Sequence, residues 1–223
     1  MYIANSDHPI QGPHQQEKTI VTGKEPEYAD AAMILVHGRG ASADSILTLV
    51  SELDNTENMH FAAPQANGYT WYPYSFLMST EQNEPGISSG LQAIFDIIED
   101  LNERGVPKEK IILLGFSQGA CLSSEYVARH PARYGGLVAF SGGLIGEKVI
   151  AENYTGDLKG TPYFVGCSDI DSHIPVERVH ESAAVMEKLG ADVTKKIYPG
   201  MGHTVTPDQL RHAQMIVDSV LNS

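Results

Sequence analysis

The stretch Ile111-Ile112-Leu113-Leu114-Gly115-Phe116-Ser117-Gln118-Gly119-Ala120 decides how this chain reads. Its first half is an unbroken apolar run of strand length, the pattern of a strand buried on both faces of a parallel sheet. From Gln118 to about His130 the pattern is helical. Between the two, Gly115-x-Ser117-x-Gly119 fits a nucleophile elbow, in which a serine sits on a sharp strand-to-helix turn and the glycines remove the Cβ atoms that would clash there. With 21 glycines in the chain the bare pattern is weak. Its weight comes from the strand before it and the helix behind it.

Outward from this stretch the same rhythm repeats. Upstream lie the run MILV (33–36), a helical pattern from about Ser42 to Leu53, and the strand-like HFAAP (60–64). Ile87, Leu91, Ile94, Phe95, Ile98 and Leu101 then mark one face of an amphipathic helix that ends at Gly105, with Pro107 beyond it. Downstream come strands at GLVAF (136–140) and PYFVGC (162–167), a helix from about Val176 to Leu189, a strand VTKKIY (193–198) and a last helix from about Pro207. Strands alternating with helices predict an α/β fold with a mainly parallel central sheet and helices on both faces. Lys18 to Thr22 is a candidate edge strand. Residues 1–17 are polar and predict a surface lead-in, not core. Residues 64–86 carry Trp71, Tyr72, Tyr74 and Phe76 without clear periodicity, and the length of the segment marks it as a site-lining loop.

The chain has 223 residues, enough for one compact domain spanning 1–223. Its 15 Lys and Arg against 28 Asp and Glu give a net charge of -13, a field that repels phosphate backbones and anionic membrane surfaces, so nucleic acid is not an expected partner. No apolar run approaches the ~18 residues that span a bilayer, and residues 1–18 do not read as a signal peptide, so no membrane anchor is expected. Two cysteines, Cys121 and Cys167, without CxxC spacing indicate neither a disulfide framework nor a zinc site, and the expectation is a cytoplasmic location.

A serine hydroxyl needs a neighbouring base to take its proton. His203, in Tyr198-Pro199-Gly200-Met201-Gly202-His203, lies in a glycine-rich loop after a predicted strand, where the carboxyl edge of a sheet presents side chains. His180 and His212 fall in predicted helices and read as solvated surface groups. The loop Gly166-Cys167-Ser168-Asp169-Ile170-Asp171-Ser172-His173-Ile174-Pro175 offers two carboxylates, Asp169 and Asp171, to orient that histidine. The acid would hold the imidazole tautomer and stabilise the imidazolium formed in the reaction. Charge developing on an attacked carbonyl oxygen requires N–H donors, and the backbone N–H groups of Gln118, at a helix start, and of Arg39, in His37-Gly38-Arg39-Gly40, are the candidates.

Through HGRGAS (37–42), GFSQGA (115–120), DSHIP (171–175) and GMGH (200–203), the chain from about Ala31 onward resembles the phospholipase/carboxylesterase family of α/β-hydrolases, the group that includes acyl-protein thioesterases. The resemblance selects Asp171 over Asp169, because the family's acid precedes an apolar-Pro pair like Ile174-Pro175. It implies hydrolysis of short to medium acyl esters or thioesters through an acyl-enzyme, without metal or organic cofactor, and a homodimer is common among such proteins. Arg39 stands where the thioesterase members commonly carry leucine, and looks more like the bacterial carboxylesterases. Trp71, Tyr72, Phe76 and Met78 are expected to form an apolar wall of the acyl pocket. Cys121, one turn past Ser117, reads as a small packing residue. A thioesterase or lysophospholipase would use the same triad with a longer apolar channel. A non-catalytic small-ligand receptor on this fold would have no need of all three groups.

Overall fold

The computed structural model describes residues 1–223, and the apolar runs of the sequence become seven strands in one sheet. They are β1 (Thr19–Gly23), β2 (Ala31–Val36), β3 (Met59–Pro64), β4 (Ile111–Phe116), β5 (Gly136–Phe140), β6 (Pro162–Ser168) and β7 (Asp192–Tyr198). The order across the sheet is β1-β3-β2-β4-β5-β6-β7, with β1 antiparallel to β3 and every other pairing parallel. The edge strand lies one residue later than Lys18–Thr22, and four of its five residues are exposed.

Side chains alternate across the pleat, so the central strands feed two cores. Ile34, Val36, Leu113, Ala139 and Val165 join one apolar cluster, whereas Met33, Leu35, Leu114, Val138 and Phe164 join the other. Helices α2 (Gly86–Glu103), α3 (Gln118–Arg129) and α4 (Val176–Lys188) cover the first face, and α1 (Ala43–Leu47) and α5 (Pro207–Leu221) cover the second. This is why β2 and β4 are apolar at nearly every position: neither face meets water.

Helix starts follow their side chains. Ser42 and Ser45 form a capping box at α1, and Thr206 and Gln209 form one at α5, which has Pro207 in its first turn. Helix α1 is shorter than the Ser42–Leu53 pattern implies, because the chain tightens into a 3-10 turn over Thr48–Glu52. Helix α2 buries Ile87, Leu91, Ile94, Ile98 and Leu101, as its periodicity requires, and stops before Gly105, whose φ is +95°.

The first 17 residues run along the surface and are tied to the domain at several points. Ala4 and His14 are buried, and Arg129 donates to the Tyr2 carbonyl at 3.0 Å. The polar character that suggested solvent instead supplies hydrogen bonds to the domain: the Tyr2 hydroxyl meets the Gln92 side chain, and Gln15 bonds Ser89. His212 also differs from expectation. Its ring stacks on Phe164 at 4.5 Å, and burial lowers its pKa.

Candidate active site

Strand β4 ends directly beneath Ser117, which occupies φ +54°, ψ -118°. A non-glycine residue in this region carries about 1–3 kcal/mol of strain and persists only where its surroundings leave no alternative. Here they leave none. A Cβ on Gly119 would lie 2.0 Å from the Val36 carbonyl oxygen, so only glycine lets α3 pass this close to β2. Ser117 also precedes α3 without capping it, which leaves the hydroxyl free to point elsewhere.

The hydroxyl meets His203. Oγ of Ser117 lies 2.8 Å from His203 Nε2, and His203 Nδ1 lies 2.7 Å from Asp171 Oδ2. The carboxylate fixes the tautomer: Nδ1 carries the hydrogen and donates it to Asp171, so Nε2 is free to accept from Ser117. Burial pushes the Asp171 carboxyl up. Hydrogen bonds from His203 and from the backbone N–H groups of His173 and Ile174 outweigh it and hold the pKa below the ordinary value. Asp169 is turned away and accepts from the Gly200 N–H at 2.8 Å. The sheet therefore brings Ser117, His203 and Asp171 together and leaves Asp169 outside.

The backbone N–H of Arg39 has no partner within the protein, and that of Gln118 belongs to the unpaired first turn of α3. Both residues line the same cavity as Ser117 and His203. The cavity measures about 470 Å³ and is bounded by Tyr72, Phe76, Phe116, Cys121 and Ile174.

Of the four residues expected in the apolar wall, Tyr72 and Phe76 face this cavity, and Trp71 and Met78 do not. Trp71 is wholly buried under the wall, where its Nε1–H donates to the His37 carbonyl at 2.9 Å. Its ring packs 5.1 Å from both His14 and His37. An indole N–H out of water needs an acceptor, and the one available lies behind the loop, which fixes the ring away from the cavity. Met78 is 41% exposed on the outer surface of the segment.

Several side chains hold the site in place through contacts that the sequence did not suggest. The Gln118 amide accepts from the Trp71 N–H at 2.9 Å and donates to the Tyr72 carbonyl at 2.9 Å. The Arg39 guanidinium donates to the carbonyls of Tyr72, Pro73 and Tyr74 at 2.6–2.9 Å. His37 donates from Nδ1 to the Gly38 carbonyl and accepts the Ala66 N–H at Nε2, so it is neutral, and burial lowers its pKa. His14 accepts the Asn67 N–H and donates to the Trp71 carbonyl, with its pKa likewise lowered by burial. The Cys167 thiol, raised by burial to about 12, approaches Asp171 Oδ2 at 3.7 Å. Cys121 is buried against the Tyr72 hydroxyl, and burial raises its thiol to about 12. His37 and Gln118 stood within the quoted motifs, but nothing in their spacing told that their side chains would brace a loop elsewhere in the chain.

The family model described as phospholipase/carboxylesterase matches residues 15–221. The chain belongs to the phospholipase/carboxylesterase family. A solved phospholipase/carboxylesterase from Dyadobacter fermentans is 37% identical, with 99% of each chain covered and a TM-score of 0.86. Acyl-protein thioesterase 1 from Debaryomyces hansenii is 27% identical over 214 residues, covering 86% of this chain and 92% of the relative. Acyl-protein thioesterase 1 from Gibberella zeae is 32% identical over 136 residues, and there this chain spans only 57% of the relative's length. The mostly parallel sheet flanked on both faces by helices is the α/β-hydrolase fold of this family of serine hydrolases. No helix is long and apolar enough to cross a membrane.

Proposed function

We propose that this chain hydrolyses carboxylic esters with short to medium acyl groups, with Ser117 as nucleophile, His203 as general base and Asp171 as the orienting acid. The observation that carries the reading is the continuous Ser117–His203–Asp171 hydrogen-bond chain at 2.8 and 2.7 Å. In the first half-reaction Ser117 Oγ attacks the acyl carbon while its proton passes to His203 Nε2. The oxyanion rests on the N–H groups of Arg39 and Gln118, two residues that line the cavity beside Ser117. The C–O bond to the alcohol then breaks, and the alcohol departs with the proton from His203. Water enters, gives its proton to His203 and attacks the acyl-Ser117 ester, and the acid leaves as the proton returns to Ser117. Tyr72 and Phe76 form the apolar wall against the acyl chain. In a cavity of about 470 Å³ that also holds the reacting groups, an acyl chain of a few carbons fits better than a long one.

Purified Ser117→Ala is expected to lose kcat on short aryl esters by about 10⁴- to 10⁶-fold, with an unchanged far-UV spectrum. A fluorophosphonate probe is expected to label the natural chain at Ser117 and leave the variant unlabelled. Turnover retained by the variant would overturn the assignment. The relatives named acyl-protein thioesterase favour a second reading, thioester hydrolysis at the same serine. kcat/KM measured on matched esters and thioesters across acyl length separates the two.

A further inference from the structure

The chain carries a net charge of -13, yet no Asp or Glu lines the cavity around Ser117. Two carboxylates of the adjoining loop are spoken for: the Asp171 side chain is buried on His203, and Asp169 is held by the Gly200 N–H. What the rim does carry is Arg39 and His173, both exposed. Arg39 has no carboxylate partner. Its guanidinium is held by three backbone carbonyls, which fix its position without neutralising it. Those three bonds leave two of its five N–H donors, the Nε–H and one on Nη1, free for a ligand. The guanidinium is thus a fixed, unpaired cation at the mouth of a site in an otherwise acidic molecule.

The position of His173 indicates which half of a substrate would reach this rim. His203 must hand its proton to the departing oxygen, and the His173 ring lies 4.9 Å from the His203 ring on the open side of the site. The apolar walls at Tyr72, Phe76, Cys121 and Ile174 face the interior and suit the acyl half. The leaving alcohol therefore occupies the exposed mouth.

Resting on the esterase reading of Ser117, we propose that Arg39 is a specificity-determining residue that selects esters whose leaving half carries a carboxylate, so that the alcohol product is a hydroxy acid. A planar guanidinium with two free donors recognises a carboxylate by charge and geometry together. The acidic surface around the site does not oppose this, because a cleft lined by one sign of charge dominates the field inside itself.

The test compares the acetyl ester of 4-hydroxybenzoate with the acetyl ester of 4-hydroxybenzamide, which have the same shape and leaving groups of similar reactivity. The natural chain is expected to favour the charged ester in kcat/KM by about tenfold, and raising the salt to about 0.5 M is expected to shrink that preference. Arg39→Gln is expected to bring the ratio close to one. Arg39→Lys loosens the same loop but keeps the charge, and is expected to retain the larger part of the preference. Equal or lower kcat/KM for the charged ester would overturn the proposal, as would a ratio that neither Arg39→Gln nor salt alters. A preference confined to a carboxylate on the acyl half, phenyl hydrogen succinate over phenyl butyrate, would overturn the placement at the leaving group. If the preference fails while the benzamide ester is still hydrolysed, the Ser117 reading survives. If neither ester is hydrolysed, both readings fall.

Discussion

Between β4 and α3 the chain has no room to move, whereas residues 64–86, which wall the same cavity, are held by the burial of Trp71, Tyr72 and Phe76 and by a set of side-chain hydrogen bonds. The first region is fixed by backbone contact: Gly119 lies against the Val36 carbonyl and Ser117 is forced to positive φ. The second has only short 3-10 turns at Asn67–Tyr69 and Thr80–Asn83 and relies on Arg39, Gln118, His14 and the buried Asn83 amide, which bonds Tyr74 and Ser75. Two ways of building one site follow. The nucleophile is placed by steric exclusion, which is nearly all-or-none. The wall is placed by many bonds of about 1 kcal/mol each, which can be loosened one at a time.

The contrast is broken most severely at Gly119. Gly119→Ala places a Cβ 2.0 Å from a carbonyl oxygen that belongs to the central sheet, and the expected loss is about 3 kcal/mol or more in urea unfolding, with activity lost alongside. A stable, active variant would show that the elbow is looser than its contacts indicate.

Acid probes the other region. Burial lowers the pKa of His14 and His37, which brace this loop, and also of His130 and His212 elsewhere, so the unfolded chain takes up protons below the ordinary value of 6.5 while the native state resists them. Stability from these groups is complete above pH 6.5 and is lost as pH falls through that value toward their folded pKa values. The Asp171 carboxyl, depressed from 3.8, adds its own loss only when pH falls below that value. Tm is therefore expected to drop between pH 7 and pH 5. His14→Gln, with one titrating group fewer, is expected to melt lower but with a shallower slope. An unchanged slope would remove His14 from this account.

A milder probe is Trp71→Phe, which keeps the aromatic bulk but removes the bond to the His37 carbonyl. It is expected to lower stability by about 1–2 kcal/mol and to reduce kcat, since His37 leads into the loop bearing the Arg39 N–H. Acyl-length preference is expected to stay the same, because the ring does not face the cavity. The smallest effect belongs to Met78→Ala. Exposed and outside the cavity, Met78 is expected to leave kcat/KM for every acyl length unchanged, and a shifted preference would return it to the wall.

The central strands were legible because burial on both faces demands unbroken apolar runs, and α2 because its buried residues repeat at helical spacing. The geometry at Ser117 was foreshadowed by two glycines whose only purpose is the absence of a Cβ. The ties of residues 1–17 to the domain were not legible, because polarity in a sequence does not tell whether a side chain meets water or a backbone group of another segment. His14 and Gln15 meet the latter.

By itself, the sequence determined the parallel sheet, the strand-turn-helix at Ser117 and the placement of His203 on a later loop, since each depends on residues near one another in the chain. Only the tertiary structure decided that Trp71 lies beneath the cavity wall and Met78 outside it, that Asp169 turns toward Gly200, and that the Arg39 side chain spans to residues 72–74. These depend on which donor finds which acceptor across 30 or more residues of separation, and such pairings exist only after the chain has folded.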